Sequence, residues 1–123
     1  MIQAVTRSGV APVLLVGQPV HADSTPGNDV VVSINEIYSE PAGGSDVVFV
    51  DADAAVENPD GSFASVLPCL PDEAECDPSG NNVVRNDDGL HFCSGSQPPG
   101  PCAVYASGAF RFANAIAVAV NSL

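Results

Sequence analysis

At 123 residues, 46% hydrophobic and with a mean hydropathy of +0.20, the chain has the size and apolar content of one globular domain or part of one, and not those of a disordered tail. Arg7, Arg85 and Arg111 are the only basic side chains beside 15 acids, a formal net charge of -12, so no basic patch for nucleic acid or an anionic membrane can be assembled. The longest apolar run near the start, Val10 to Gly17, falls far short of the roughly 20 residues a bilayer span needs. No charged segment after Met1 leads into an apolar stretch with a small-residue cleavage site, so any signal peptide is expected upstream of this chain.

In chain order, Met1 to Ser8 reads as the tail of a helix with Gly9 as its stop signal. Val10 to Val16 is a short, β-branched run of the kind that forms a buried parallel strand. Pro12 is tolerable near its start, and Gly17, Gln18 and Pro19 end it. The loop from Gln18 to Asn28 carries His21, Asp23 and Ser24. Three such residues in one short loop cannot readily face one another as a triad. The loop does leave the carboxyl end of a strand, where ligands bind in open α/β sheets, so His21 is a candidate pocket-lining residue.

Asn28 or Asp29 is placed to cap a helix whose apolar face is Val31, Ile34, Ile37 and Tyr38, with Pro41 and Gly43–Gly44 ending it. Asp46 to Val50 then supplies a second strand, and strand, helix and strand together predict a right-handed βαβ crossover. Asp51, Asp53, Glu57 and Asp60 follow. Ala55 and Val56 stand where an EF-hand needs its third ligand and its glycine, so these acids read as loop solvation. Glu57 to Gly80, with Pro59, Pro68, Pro71 and Pro78, reads as a long surface excursion. Ser107 is the expected cap of a final helix with Phe110, Ala113, Ile116, Ala117 and Val120 as its apolar stripe.

Four cysteines allow three pairings. The local one, Cys69–Cys76 with Cys93–Cys102, closes the smallest loops. Neither pair has the Cys-x-x-Cys spacing of a zinc knuckle. A disulfide reading places the chain in an oxidising compartment, secreted or in the cell envelope.

The chemistry concentrates in Val83 to Cys93, VVRNDDGLHFC. A carboxylate three residues before a histidine, with a glycine between them, can turn back to accept the imidazole Nδ1 proton. Asp88 and His91 have that spacing, which leaves Nε2 to act as a general base. Asp87 is expected to point outward, towards Arg85. The stretch contains no nucleophile.

A strand, a loop, DGLHF and then the helix YASGAFRFANAIAVAV resemble the C-terminal end of the SGNH hydrolase superfamily, the GDSL-type esterases and acyl hydrolases. By that resemblance Asp88 orients His91, and His91 is the base. The fold it implies is α/β, the C-terminal portion of a flavodoxin-like parallel-sheet sandwich, with residues 1–123 forming one partial domain. Val10–Gly17 and Val47–Asp51 resemble the family's last two strands. The family's Gly-Asp-Ser block and its Gly-x-Asn-Asp block are not in position here, and the triplet at Gly27 to Asp29 reads as a helix start. The resemblance therefore implies an ester or acylated small molecule, lipid or carbohydrate as substrate, no cofactor, and an N-terminal half that holds the serine and the oxyanion donors. The alternative from another class is a disulfide-stabilised extracellular binding or structural module in which Asp88 and His91 are incidental.

Overall fold

The computed structural model describes residues 12–23, 26–40, 47–92 and 105–123. The expected helix before Gly9, the turn at Gly43–Gly44 and the Cys93–Cys102 bridge lie outside these residues. Strand β1 (Val13–Val16), helix α1 (Asn28–Ser39) and strand β2 (Val47–Val50) form a βαβ unit, with β1 and β2 parallel in the register Val13 to Val47 through Val16 to Val50. Their β-branched sequences, VLLV and VVFV, suit a pleated surface. All four β1 residues are half-buried rather than buried, because among the described residues β1 has a single hydrogen-bonded neighbour, β2.

Helix α1 turns inward the face its apolar residues predict, except at Ile37. Val31 is buried, and Ile34, Asn35 and Tyr38 are half-buried, but Ile37 is 62% exposed. Two asparagines about two turns apart hold this rotation by taking up loop backbone. Asn28 accepts the His21 N–H at 2.7 Å and donates to the His21 carbonyl at 2.9 Å, while Asn35 does the same for Gln18 at 2.7 and 2.8 Å. Gly27 therefore occupies the N-cap position, and neither Asn28 nor Asp29 caps.

The stretch after Glu57 corrects the reading of a surface excursion. It holds strand β3 (Val66–Pro68), which pairs antiparallel with β4 (Asn81–Val83), and it supplies Ala64 and Leu67 to the core cluster with Val84. Short strands with few apolar residues give no periodic signal, which is why the hairpin does not show in the sequence. The Cys69–Cys76 disulfide closes the turn between these strands with a Cα separation of 5.9 Å, as the local pairing predicts.

Helix α2 (Gly108–Asn121) packs on the Asp53–Val56 turn and β2. Its inward residues are Gly108, Arg111, Phe112, Ala115, Ile116 and Ala119, so of the expected stripe only Ile116 faces in. Phe110 and Val120 are 46% and 50% exposed. The rotation is set at the helix start: a Cβ on Gly108 would lie 1.9 Å from the Val84 carbonyl oxygen, so only glycine lets the helix approach β4 this closely. Ser107 stands at the N-cap position, but its hydroxyl accepts from Arg111 Nε at 3.1 Å instead of capping.

Among the described residues eight apolar side chains are buried, against five polar or charged ones, Glu57, Asn82, Arg85, Ser107 and Arg111. With so small an apolar core, the pairing of the buried polar groups decides much of the stability. No helix among these residues is long and apolar enough to cross a membrane.

Candidate functional site

The Asn86–His91 segment is a loop closed on itself. The Asn86 N–H donates to the His91 carbonyl at 2.8 Å and the Gly89 N–H to the Asn86 carbonyl at 2.9 Å. Asp88 turns back inside it: Oδ1 accepts the Leu90 and His91 N–H groups, each at 2.9 Å, and Oδ2 lies 2.8 Å from His91 Nδ1. The hydrogen bond to His91, then those from the two backbone N–H groups, hold the Asp88 carboxyl down at about 2. Asp88 is thus an ionised acceptor through the neutral range, and it selects the tautomer with its proton on Nδ1. The His91 ring is 72% exposed, and among the described residues Nε2 makes no hydrogen bond.

Backbone contact fastens this loop to the one that leaves β1. The Ala22 N–H donates to the Gly89 carbonyl at 3.0 Å. Gly89 has φ +67°, and a Cβ there would lie 2.5 Å from the Ala22 Cβ, so conformation and contact both require glycine. The pair accordingly sits beside the carboxyl end of the parallel strands, the end at which α/β sheets place their ligands.

His21 lines a hollow of about 330 Å³ with Val16, Pro19, Leu90, Phe92 and Phe112. Its Nδ1 is buried and has no hydrogen-bond partner. Asp23 is exposed, and Ser24 lies outside the described residues. A larger hollow, about 640 Å³, opens between α2, β3 and the Asp53–Val56 turn, and neither Asp88 nor His91 lines it.

Two of the acids read as solvated loop residues are structural instead. Glu57 is 8% exposed and its Oε1 accepts the Val20 N–H at 2.6 Å. Burial pushes its carboxyl up, opposed by the Val20 N–H and by the charge of Arg85. Asp53 packs on Gly17 and accepts from Asn35 Nδ2 at 3.2 Å. Burial first, then a hydrogen bond with Asp51 and the repulsion of Asp51 and Glu57, push the Asp53 carboxyl up to about 7. Asp51 and Asp60 are exposed. Among the described residues no group of three or more His, Cys, Asp or Glu is arranged to hold a metal ion.

Arg85, towards which Asp87 is expected to point, forms no ion pair with it among the described residues. It is 2% exposed, with its guanidinium carbon 4.0 Å from the centroid of the Phe92 ring, and Phe92 packs in turn on Phe112 at 5.2 Å between centroids. Burial lowers its pKa to about 10, against the pull of Glu57. Arg85, Phe92 and Glu57 are site neighbours that motif spacing does not reveal. The available signal is that an arginine is rare in so acidic a chain and stands directly before the motif.

The fold and site define an α/β protein whose parallel strands carry, beside their carboxyl ends, a histidine oriented by a carboxylate. Over residues 1–97 the chain matches the family described as protein of unknown function (DUF459), and it belongs to that family. No curated protein and no solved structure was found to match it.

Proposed function

We propose that the chain is the C-terminal part of a secreted or cell-envelope ester or acyl hydrolase of the SGNH type. The observation that carries this reading is the 2.8 Å contact between His91 Nδ1 and an Asp88 carboxylate held by two backbone N–H groups. In this reading Nε2 takes the proton of a serine as that serine attacks an ester carbonyl, and returns it to the leaving alcohol. Asp88 stabilises the imidazolium formed in between. Water then resolves the acyl-enzyme by the same base. The serine and the oxyanion donors come from an N-terminal half of the domain, which would complete the flavodoxin-like sheet around β1 and β2. The Cys69–Cys76 bridge supports an oxidising compartment.

The test extends the reading frame upstream of Met1 and labels the longer protein with a fluorophosphonate, which reacts with an activated serine. Labelling and nitrophenyl ester hydrolysis are expected in the extended protein, with His91→Ala lowering turnover by about 10³-fold or more and Asp88→Ala by less. The 123 residues alone should give neither. Turnover by those residues alone that Ser24→Ala or Ser107→Ala abolishes would show that the active site is elsewhere. An extended frame without an activated serine would favour the binding or structural module.

A further inference from the structure

We propose that Arg85 is a positioning residue for His91, clamping the neck of the Asn86–His91 loop by stacking on Phe92. The two residues stand immediately before and after that loop, and among the described residues its neck carries one backbone bond, from the Asn86 N–H to the His91 carbonyl. The guanidinium lies over the Phe92 ring at 4.0 Å, and the ring also packs on Phe112 of α2. The series Phe112, Phe92, Arg85 therefore ties both ends of the loop to the last helix. Arg85 also attracts Glu57 electrostatically, and the Glu57 carboxylate accepts the Val20 N–H of the loop leaving β1. Both loops that frame His91 are in this way referred to one buried charge.

The arrangement is costly, and the cost is informative. Arg85 Nε and Nη1 are buried without an acceptor, although the guanidinium is among the most hydrogen-bond-demanding of side chains. A methionine would fill the same space without unpaired donors, so folding alone does not call for arginine here. What methionine lacks is the flat cationic face that meets the ring and the charge that meets Glu57. Departures from the rules of polar pairing of this kind concentrate at functional sites.

The inference concerns the geometry of the Asp88–His91 pair whatever reaction the pair serves, so it stands or falls separately from the hydrolase reading. The full 123-residue chain, labelled with nitrogen-15, reports the His91 tautomer directly through its ring nitrogen shifts. The parent should show the Nδ1–H form that Asp88 selects. Arg85→Met should remain folded by circular dichroism, with an unfolding midpoint no lower than the parent's. It should nonetheless lose that form in favour of the Nε2–H tautomer free imidazole prefers, and the Leu90 and His91 amides should exchange about tenfold faster. Arg85→Lys, which keeps the charge without the flat face, should restore the signature in part. Arg85→Met that folds and keeps the Nδ1–H form and slow exchange overturns the proposal, as does a parent without that form. Should Arg85→Met fail to fold, Phe92→Leu decides by the same two readouts, since it removes the ring and leaves the arginine.

Discussion

Arg111→Met tests how far this small fold depends on its buried charges. Arg111 Nε lies 2.5 Å from Glu73 Oε1, with the two side chains 3% and 2% exposed, and Nη2 donates to the Pro68 carbonyl at 2.6 Å. Glu73 Oε2 meets Asn82 Nδ2 at 2.7 Å and the Leu70 N–H at 3.2 Å, so one ion pair fastens α2 to the disulfide-bonded turn and to both strands beside it. Burial pushes the Glu73 carboxyl up, but the hydrogen bonds from Arg111, Ser107 and the Leu70 N–H together outweigh it, and the net position is below the usual glutamate value. Removing one partner of a buried pair costs about 3 to 5 kcal/mol, because the other charge stays buried. With urea slopes of about 1 to 3 kcal/mol per molar for small domains, the midpoint should fall by roughly 2 M. The sign with pH follows from the same groups. In the parent, Glu73 is depressed and contributes stability above pH 4.5, its unperturbed value, which is lost as pH falls through its folded pKa. In Arg111→Met burial prevails and the carboxyl rises above that value, so stability is lost as pH rises through the new position. The gap between parent and variant should therefore widen from pH 4 to pH 8, and Glu73→Gln added to Arg111→Met should recover much of it. A variant within about 1 kcal/mol of the parent at both pH values would refute the claim that this pair, and not the apolar core, fixes α2.

Cys69→Ala with Cys76→Ala opens a loop with a sequence separation of 7 and should cost about 2.5 kcal/mol in urea denaturation on the chain-entropy estimate. Asp53, raised to about 7, favours the fold below its unperturbed 3.8 and gives up that contribution as pH rises through 7. Asp53→Asn, which imitates the protonated acid, should thus raise the melting temperature at pH 8 and change it little at pH 4. Asp88 has the opposite sign: lowered to about 2, it supports its loop above 3.8 and ceases to do so as pH falls towards 2, which amide exchange at Leu90 and His91 should follow. Gly89→Ala should cost roughly 1 to 2 kcal/mol from its left-handed backbone alone, and the Cβ clash with Ala22 should release the Ala22 amide to exchange.

What the sequence made legible is what neighbouring residues decide between themselves. The Asp88–His91 contact spans three positions and one glycine, and β1 and β2 are continuous β-branched runs, so both are written locally. The inner face of α1 was also legible at Val31, Ile34 and Tyr38, whereas the rotation of α2 was not, because Gly108 sets it through a contact 24 residues away, with Val84. Apolar periodicity selects a helix but cannot say which stripe wins when a polar residue has a buried backbone to satisfy. The β3–β4 hairpin was hidden for a related reason, since three-residue strands such as Val66–Pro68 are held by their partners and by a disulfide rather than by propensity.

The exposure of His91 carries the remaining step. The hydrogen bond to Asp88 needs no cover, because two backbone N–H groups fix the carboxylate within the same loop. A base at work needs more than an oriented ring, since a charge that develops in water is stabilised by solvent whether or not the protein is present, and exposed ion pairs contribute little. Proton transfer gains from a protein when the site excludes water, so that a fixed carboxylate counts for more than solvent does. With its ring 72% exposed, His91 has the first of these conditions and not the second. On the hydrolase reading, the surface that brings the serine to Nε2 must also be the surface that covers the ring. One association would then supply the nucleophile, the oxyanion donors and the dry environment together, which is why the extended protein, and not a better-oriented His91, is where turnover is expected.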